Sequence, residues 1–282
     1  MSKSTPAETP RTPGRAATPT PKQPPKRAPY VQVHAHRGGA ALAPENTMAA
    51  FHRSADLGVP WFELDIRRCA SGELIVFHDR TLERIAGSPD DVTAMPWSAL
   101  RTVDVGSHFG PEFAGERIPL LEEVVETFRH RVRLNIEIKE DGTGDGTATG
   151  LAQLIERMGL AGECIVSSFN PLSLLRVKLA CSVPLGLIYP SDGKRKRERL
   201  LRRPWPAPLL SVYALHPSHK VVTADLVRKA HLRGLAVNTW TVNTEERMRE
   251  LIGLRVNALI TDRPDLALDL VAELDPFAGS AP

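Results

Sequence analysis

Cysteines and long apolar runs are scarce in this chain of 282 residues. The three cysteines, Cys69, Cys164 and Cys181, are too few and too scattered for a disulfide framework or a zinc ribbon. No run approaches the ~18 apolar residues of a membrane span. No apolar core of a secretory signal precedes position 31. These absences exclude an integral membrane protein and predict a reduced, cytoplasmic compartment.

Positive charge is concentrated at the start of the chain. Residues 1–30 hold six Lys or Arg and one Glu, which leaves a net charge of −2 for residues 31–282. Residues 1–29 also contain eight of the 24 prolines, and this composition predicts a disordered, Pro-rich basic tail. The sequence pI of 8.8 belongs to that tail, so we predict no nucleic-acid partner for the folded part.

From Tyr30 onward, short apolar runs alternate with helical stretches, which is typical of a parallel α/β sheet. The nine strand-like runs are Val31–His36, Trp61–Ile66, Glu73–His78, Arg133–Lys139, Cys164–Phe169, Pro184–Tyr189, Leu209–Leu215, Leu235–Val242 and Ala258–Thr261. Only Arg67–Gly72 joins the second and third runs, which is too short for a parallel crossover, so they must form an antiparallel hairpin.

The remaining eight strands, with helices between them, predict a (β/α)8 TIM barrel of about 250 residues. A doubly wound sheet is the alternative, but the first turn, residues 36–39, lacks the G-x-G-x-x-G pattern. We expect one domain at residues 30–275, a small insertion at about 69–119 that contains the hairpin arm, and a flexible C-terminus at 276–282.

Acidic residues alternate with apolar ones where two barrel strands are predicted. Glu63 and Asp65 share one face of the second run, and Glu137 lies in the fourth. A carboxylate inside a barrel costs several kcal/mol unless it is paired or binds a metal. Three converging oxygen donors favour Mg²⁺ or Ca²⁺; structural ion pairs with Arg37 and Lys139 are the alternative.

Two histidines follow neighbouring runs beside these acids. His36 and His78 fit a general base and a general acid. His34 points to the same face as His36, one layer deeper, and is assigned to packing. His216, at the carboxyl end of the seventh run, is a further candidate for contact with a substrate.

Several short motifs occur in an order that resembles the glycerophosphodiester phosphodiesterase family. They are His36-Arg37-Gly38-Gly39, Pro44-Glu45-Asn46-Thr47, Glu63-Leu64-Asp65-Ile66, Phe77-His78-Asp79, Asn135-Ile136-Glu137-Ile138-Lys139, Ser168-Phe169, Trp240-Thr241-Val242-Asn243 and Thr261-Asp262-Arg263-Pro264. The resemblance implies a TIM barrel with a small insertion. It also implies metal-dependent hydrolysis of glycerophosphodiesters to glycerol 3-phosphate and an alcohol.

The resemblance also implies roles for individual residues. The acid–base pair would be His36 and His78, the metal ligands Glu63, Asp65 and Glu137, the phosphate contacts Arg37 and Lys139, and the residues of an apolar pocket Phe169 and Trp240. Ordinary packing at the barrel end is an equal alternative for Phe169. Which histidine is the base stays open, as does the choice between water and the substrate's 2-hydroxyl as nucleophile.

Two other functions compete with this one. A lysophospholipase D-type lipid phosphodiesterase would need an exposed apolar rim for acyl chains, and the sequence shows no obvious one. A non-catalytic module that binds anionic membranes would act through the tail and the basic Lys194–Arg203 loop, which holds seven basic residues and one acid. Since no histidine or metal ligand is missing, the enzyme is preferred over the module.

Overall fold

A computed structural model describes residues 31–140, 142–190 and 207–274. Its strands are β1 (Gln32–Ala35), β2 (Trp61–Arg68), β3 (Leu74–Val76), β4 (Arg133–Ile138), β5 (Cys164–Ser168), β6 (Leu185–Tyr189), β7 (Ala214–Pro217), β8 (Ala236–Thr239) and β9 (Ala258–Thr261). All except β3 pair in parallel, and the sheet closes because Ala35 of β1 pairs with both Phe62 and Thr261. The closed sheet of eight parallel strands confirms the predicted (β/α)8 barrel.

Helices follow the strands. They are α1 (Met48–Asp56), α2 (Glu83–Ala86), α3 (Trp97–Leu100), α4 (Leu121–Phe128), α5 (Thr147–Met158), α6 (Pro171–Ala180), α7 (Ala207–Leu210), α8 (Ala224–His231), α9 (Glu245–Gly253) and α10 (Pro264–Leu274). They cover the outside of the barrel, except α2 and α3, which belong to the layer after the hairpin arm. Polar side chains fix several starts: Thr47 accepts from the Ala50 amide, and Asn170 accepts from the Leu172 amide. None of the helices in the described ranges has the length and apolar character needed to cross a bilayer.

The main core lies between the sheet and these helices, whereas polar side chains occupy the middle of the barrel. The apolar cluster joins Phe51, Phe62 and Phe128 with residues from every barrel strand. Inside the barrel, buried polar side chains replace aliphatic ones: His34, Asn135, Ser167, His216 and Asn238. Polar groups at this depth need partners, and they form the floor beneath the strand ends.

The hairpin arm and the residues after it form a smaller layer with a core of its own. Strand β3 is antiparallel to β2, with Ile66 opposite Val76, as the short link predicted. Ile75, Phe77, Leu100 and other apolar residues between Cys69 and Ile118 make a second buried cluster. This layer brings the residues that follow β3 to the rim of the barrel.

The prediction of a strand over Leu209–Leu215 was wrong for most of that run. Its first part ends the short helix α7, because Ser211 adopts a left-handed conformation with φ of 50°, and β7 begins only at Ala214. The run Leu235–Val242 is also shorter in the structure, where β8 is Ala236–Thr239. The predicted tail 1–29, the Lys194–Arg203 loop and the C-terminus 276–282 lie outside the described residues.

Candidate active site

Three carboxylates meet at the carboxyl ends of β2 and β4. The strands pair in register, so that Glu63 lies opposite Asn135 and Asp65 lies opposite Glu137. All three acids are buried, and one oxygen from each lies within 4.8 Å of the others. The alternation along β2 therefore points Glu63 and Asp65 into the barrel. Both faces of a parallel sheet are covered, so its strands are usually apolar and buried acids there are unusual.

Two cations lie against this acidic group. The Lys139 Nζ is 2.6 Å from Glu137 Oε1 and 3.1 Å from Asp65 Oδ1. The Arg37 Nε is 3.3 Å from Asp65 Oδ2, and its Nη1 donates to Glu45 Oε1 at 2.9 Å. The contacts of Asp65 Oδ1 and Glu137 Oε1 with the ammonium have ion-pair distances but lack hydrogen-bond alignment. Two cations and three acids leave one negative charge in excess.

The pKa values of the acids reflect their burial first and their mutual repulsion second. Burial, with a further contribution from the neighbouring Asp65, raises the pKa of Glu63 to about 7. Burial also raises the pKa of Glu137, and the nearby Lys139 only partly offsets it. Burial would raise the pKa of Asp65 as well, but Lys139 and Arg37 outweigh burial and hold that pKa well below its usual range.

The acidic group fits a hard divalent cation. Its donors are all carboxylate oxygens, which Mg²⁺ and Ca²⁺ prefer. A divalent ion would offset the charge that two protein cations leave uncompensated, and the carboxylate oxygens that lack aligned hydrogen bonds are available as ligands. The residues present therefore match the metal centre that the sequence predicts.

His36 stands directly after β1, in a single 3-10 turn of His36–Gly38. Its Nδ1 lies 2.5 Å from Asp262 Oδ1, and its Nε2 lies 3.9 Å from Glu63 Oε2. Asn243 Nδ2 donates to the other oxygen of Asp262 at 2.5 Å, which fixes that carboxylate. Burial alone would lower the pKa of His36, but Glu63 and Asp262 outweigh it and raise that pKa.

The backbone around Arg37 explains the glycines that follow it. Arg37 has φ of 50°, and its amide donates to Glu63 Oε2 at 3.0 Å. Gly38, with φ of 81°, packs so closely that a Cβ there would lie 2.9 Å from both Ala50 Cβ and the Phe51 ring. Glycine relieves both the conformational cost and the steric conflict. The turn can then place His36 and Arg37 on either side of the acids.

His78 follows the hairpin arm and lies close enough to the acidic group to interact electrostatically with Asp65. Its Nδ1 lies 2.6 Å from Asp79 Oδ1. Arg84 Nε donates to the second oxygen of Asp79, and both Nη atoms of Arg84 donate to Glu45. Because Glu45 also accepts from Arg37, one chain of charged hydrogen bonds connects the His78 side of the site to Arg37. Burial lowers the pKa of His78.

Phe169 and Trp240 form an aromatic wall at the same end of the barrel. Their rings meet edge to face, with centroids 5.4 Å apart. The Lys139 Nζ lies 5.8 Å from the centre of the Phe169 ring. Phe169, Lys139 and Asn170 line a cavity of about 340 Å³ beside Glu137. The wall thus borders both the charged group and an open space large enough for part of a small substrate.

The two interior histidines lie deeper than the strand ends. His34 stacks on Trp61 with ring centroids 4.8 Å apart, in agreement with its assignment to packing. His216 lies within β7 rather than after it, and its Nε2 is 3.1 Å from Asn238 Nδ2. Burial lowers the pKa of each histidine to about 3, so both are neutral in the fold. His216 shares a narrow cavity with Glu63 and Trp240, but its burial places it beneath the site.

Sequence reasoning gave no role to several residues that organise the site. Asp262 holds His36, and Asn46 donates to Asp65 Oδ2 at 2.9 Å. Arg67 donates to the backbone carbonyls of His78 and Lys139, which ties the hairpin arm to β4. Asp262 and Asn46 are part of the quoted motifs, and Asp262 directly follows the last strand, so its position at a strand end was the available signal.

Known proteins are similar to this chain in sequence and in fold. The model of the glycerophosphoryl diester phosphodiesterase family matches residues 36–266. A glycerophosphodiester phosphodiesterase from Caldanaerobacter subterraneus subsp. tengcongensis is 36% identical over 243 residues, which is 85% of this chain and 97% of the relative. One from Bacillus altitudinis is 30% identical over 249 residues, with 86% and 99% covered.

Solved structures agree with the family match. The phosphodiesterase of Oleispira antarctica, solved with the product sn-glycerol-3-phosphate, has a TM-score of 0.74 and 26% identity, covering 85% of this chain and 96% of that one. A protein from Silicibacter pomeroyi DSS-3 has a TM-score of 0.78 at 24% identity, with 88% and 95% covered, and supports the fold. With the family model spanning nearly the whole described barrel, the chain belongs to the glycerophosphoryl diester phosphodiesterase family.

Proposed function

We propose that this enzyme hydrolyses glycerophosphodiesters to glycerol 3-phosphate and an alcohol with one divalent cation and a pair of acid–base histidines. The observation that carries the proposal is the meeting of three buried carboxylates with two histidines, each paired to its own acid, at one end of the barrel. A relative solved with sn-glycerol-3-phosphate supports the product. The nature of the alcohol is left to experiment.

The metal centre in this proposal consists of Glu63, Asp65 and Glu137. A bound Mg²⁺ or Ca²⁺ would neutralise charge on the phosphoryl oxygens as it grows in the transition state. Burial of the ligands supports this role, because a low-dielectric site strengthens the attraction between the ion and a phosphodiester.

Arg37 and Lys139 are proposed to bind the phosphate oxygens. Each already lies against the acidic group, and the carboxylates raise both of their pKa values against the effect of burial, so both carry full charge. Arg37 is held by Glu45, which leaves it little freedom to leave the site. Fixed cations of this kind stabilise a developing anion without reorganisation during the reaction.

His36 and His78 are proposed as the acid–base pair. One would remove the proton of the nucleophile and the other would protonate the departing alkoxide. An Nδ1–H donated to Asp262 or to Asp79 sets the ring orientation and leaves the opposite nitrogen, Nε2, as the atom that exchanges the proton. Both a water molecule and the substrate's 2-hydroxyl remain candidate nucleophiles.

Phe169 and Trp240 are proposed to contact the glycerol or the leaving alcohol. Their edge-to-face contact supports this role, as do the position of Phe169 beside the cavity next to Lys139 and that of Trp240 in the narrow cavity with His36 and Glu63. We also propose a single catalytic domain at residues 30–275 with an insertion at about 69–119, a cytoplasmic location, and weak contact of the Lys194–Arg203 loop with anionic membranes.

The experiment measures release of glycerol 3-phosphate from glycerophosphocholine and glycerophosphoethanolamine by wild type, His36→Ala, His78→Ala and the control His130→Ala. His130 is an exposed histidine outside the site, with a side-chain exposure of 70%. We expect the two site variants to lose at least about a hundredfold in rate and the control to match wild type. Site variants that retain wild-type rates would contradict the proposed roles.

A further inference from the structure

Helix α6 presents leucines to solvent as well as to the core. Of the eight large apolar side chains that are exposed in the described part of the chain, five lie on α6 and on the segment that includes α7. We call these five the leucine face: Leu172, Leu175, Leu179, Leu209 and Tyr213. Their exposed fractions run from 38% to 80%, and apolar patches of this kind mark interaction sites on soluble domains.

The exposed side chains lie along one helix and on the segment bonded to it. Leu172, Leu175 and Leu179 are three and four residues apart, so they follow a single stripe along α6. The Lys178 Nζ joins this helix to the next segment, because it donates to the Leu209 carbonyl at 3.3 Å and to Ser211 Oγ at 3.1 Å. The opposite side of α6 packs into the barrel core, which makes the helix apolar on two sides.

The charge on this surface has one sign. Residues 171–180 and 207–213 contain two basic residues, Arg176 and Lys178, and no acid; Arg176 is paired with the buried Glu140 at 3.5 Å, so Lys178 supplies the uncompensated charge. The Lys178 ammonium donates to two neutral oxygens rather than to an acid. In the sequence alone, positions 194–203 hold seven further basic residues and one acid, and they lie outside the described residues.

The leucine face begins beside the active site. Asn170 and Pro171, which precede Leu172 at the start of α6, line the cavity next to Lys139. Contact along α6 would therefore hold the site entrance close to whatever surface the face occupies. The sequence alone did not reveal this apolar surface, because the same leucines fit an ordinary buried helix.

We propose that the leucine face docks the enzyme on an anionic lipid surface. Leucines with an amphipathic Tyr213 match the boundary between headgroups and acyl chains, and the basic residues match the negative potential of such a membrane. Pairing of two copies through the same face is disfavoured, since a two-fold axis would bring like charges together. The proposal is independent of the catalytic roles assigned to the histidines and acids.

The experiment is co-sedimentation of the full chain with vesicles of phosphatidylcholine alone and of phosphatidylcholine mixed with phosphatidylglycerol. The variants are Leu179→Glu with Leu209→Glu in one chain, and the control Leu232→Glu, whose leucine is 75% exposed on a different helix end. Circular dichroism checks that each variant is folded. Size-exclusion chromatography with light scattering records the oligomeric state in the absence of lipid.

We expect wild type and Leu232→Glu to bind the anionic vesicles and the double variant to bind about a hundredfold more weakly, from lost apolar burial and added repulsion. Binding should also weaken as ionic strength rises from about 0.15 M to about 1 M. The proposal is overturned by wild-type protein that stays in the supernatant, or by a double variant that binds like wild type. A wild-type dimer that the double substitution dissociates, without vesicle binding, would assign the face to a second copy.

Discussion

Removal of the charge on Asp262 should impair catalysis by changing which ring nitrogen of His36 carries the proton. Asp262 Oδ1 lies 2.5 Å from His36 Nδ1, and Asn243 holds the other carboxylate oxygen in place. In Asp262→Asn the amide keeps the shape and the contact with Asn243, but an NH₂ group toward Nδ1 would favour the tautomer with the proton on Nε2. The nitrogen that faces Glu63 could then no longer accept a proton.

The magnitude follows from the kind of hydrogen bond that is lost. A hydrogen bond to a charged group contributes about 1.5–3 kcal/mol, which corresponds to a decrease of about 10- to 150-fold in rate. Since Asp262 contacts His36 rather than the acidic metal group, we expect the loss in kcat for glycerol 3-phosphate release and little change in KM. The matched control is Asp265→Asn, which removes a partly exposed acid three residues further along that pairs with Arg263.

The pH profile of kcat separates this role from a merely structural one. Loss of the carboxylate should lower the pKa of His36, because Asp262 is one of the two acids that raise it. The limb of the profile that reports this histidine should therefore shift to lower pH in Asp262→Asn and stay in place in Asp265→Asn. A folded Asp262→Asn enzyme with kcat within twofold of wild type would refute the reasoning.

Three further predictions concern packing, stability and substrate binding. In Gly186→Ala the new Cβ would lie 2.5 Å from His216 Nε2, so the free energy of unfolding in urea should fall by about 1–3 kcal/mol; an unchanged value would contradict the close contact. Burial lowers the pKa of His34 and His216 to about 3, whereas both have a pKa near 6.5 when unfolded. These two histidines should therefore contribute a loss of about 3 kcal/mol in stability as pH drops from about 6.5 to about 5, which Glu63, with a pKa of about 7 in the fold, partly offsets; a His34→Gln/His216→Gln variant whose stability changes with pH as that of wild type does would be inconsistent with neutral buried histidines. Phe169→Ala removes the edge-to-face contact with Trp240 and should raise KM about tenfold with a smaller effect on kcat; steady-state kinetics that show no change in KM would return Phe169 to a packing role.

The parts of the fold that follow from chain connectivity could be predicted from the sequence. The short Arg67–Gly72 link allows only a hairpin, and the structure has one at β2 and β3. The run Leu209–Leu215 failed because an apolar run was taken as buried, whereas Leu209 is exposed on the leucine face and Ser211 ends α7. Periodicity reports which residues are apolar, but the surface that an apolar residue meets depends on the whole fold.

The candidate site likewise contains some residues that the sequence could identify and others that only the closed barrel identifies. Glu63 and Asp65 stood out because acids do not belong on a strand buried on both faces, and the structure places them together with Glu137. Asp262 could not be assigned in this way, because it lies 226 residues from His36 in the sequence and meets it only when β9 closes the barrel against β1. A single acid after a strand has many uses, and only the closed barrel identifies its partner.

The most direct test of the metal-dependent mechanism is calorimetric titration of Mg²⁺ and of Ca²⁺ into EDTA-stripped enzyme, with glycerol 3-phosphate release measured on the same samples. The variants are Glu63→Gln, Glu137→Gln and the exposed control Glu126→Gln on α4. We predict that wild type and the control bind one ion per chain and regain activity with it, and that the two site variants lose both. Full activity in the stripped enzyme, or unchanged ion binding in both site variants, would contradict the proposed metal centre.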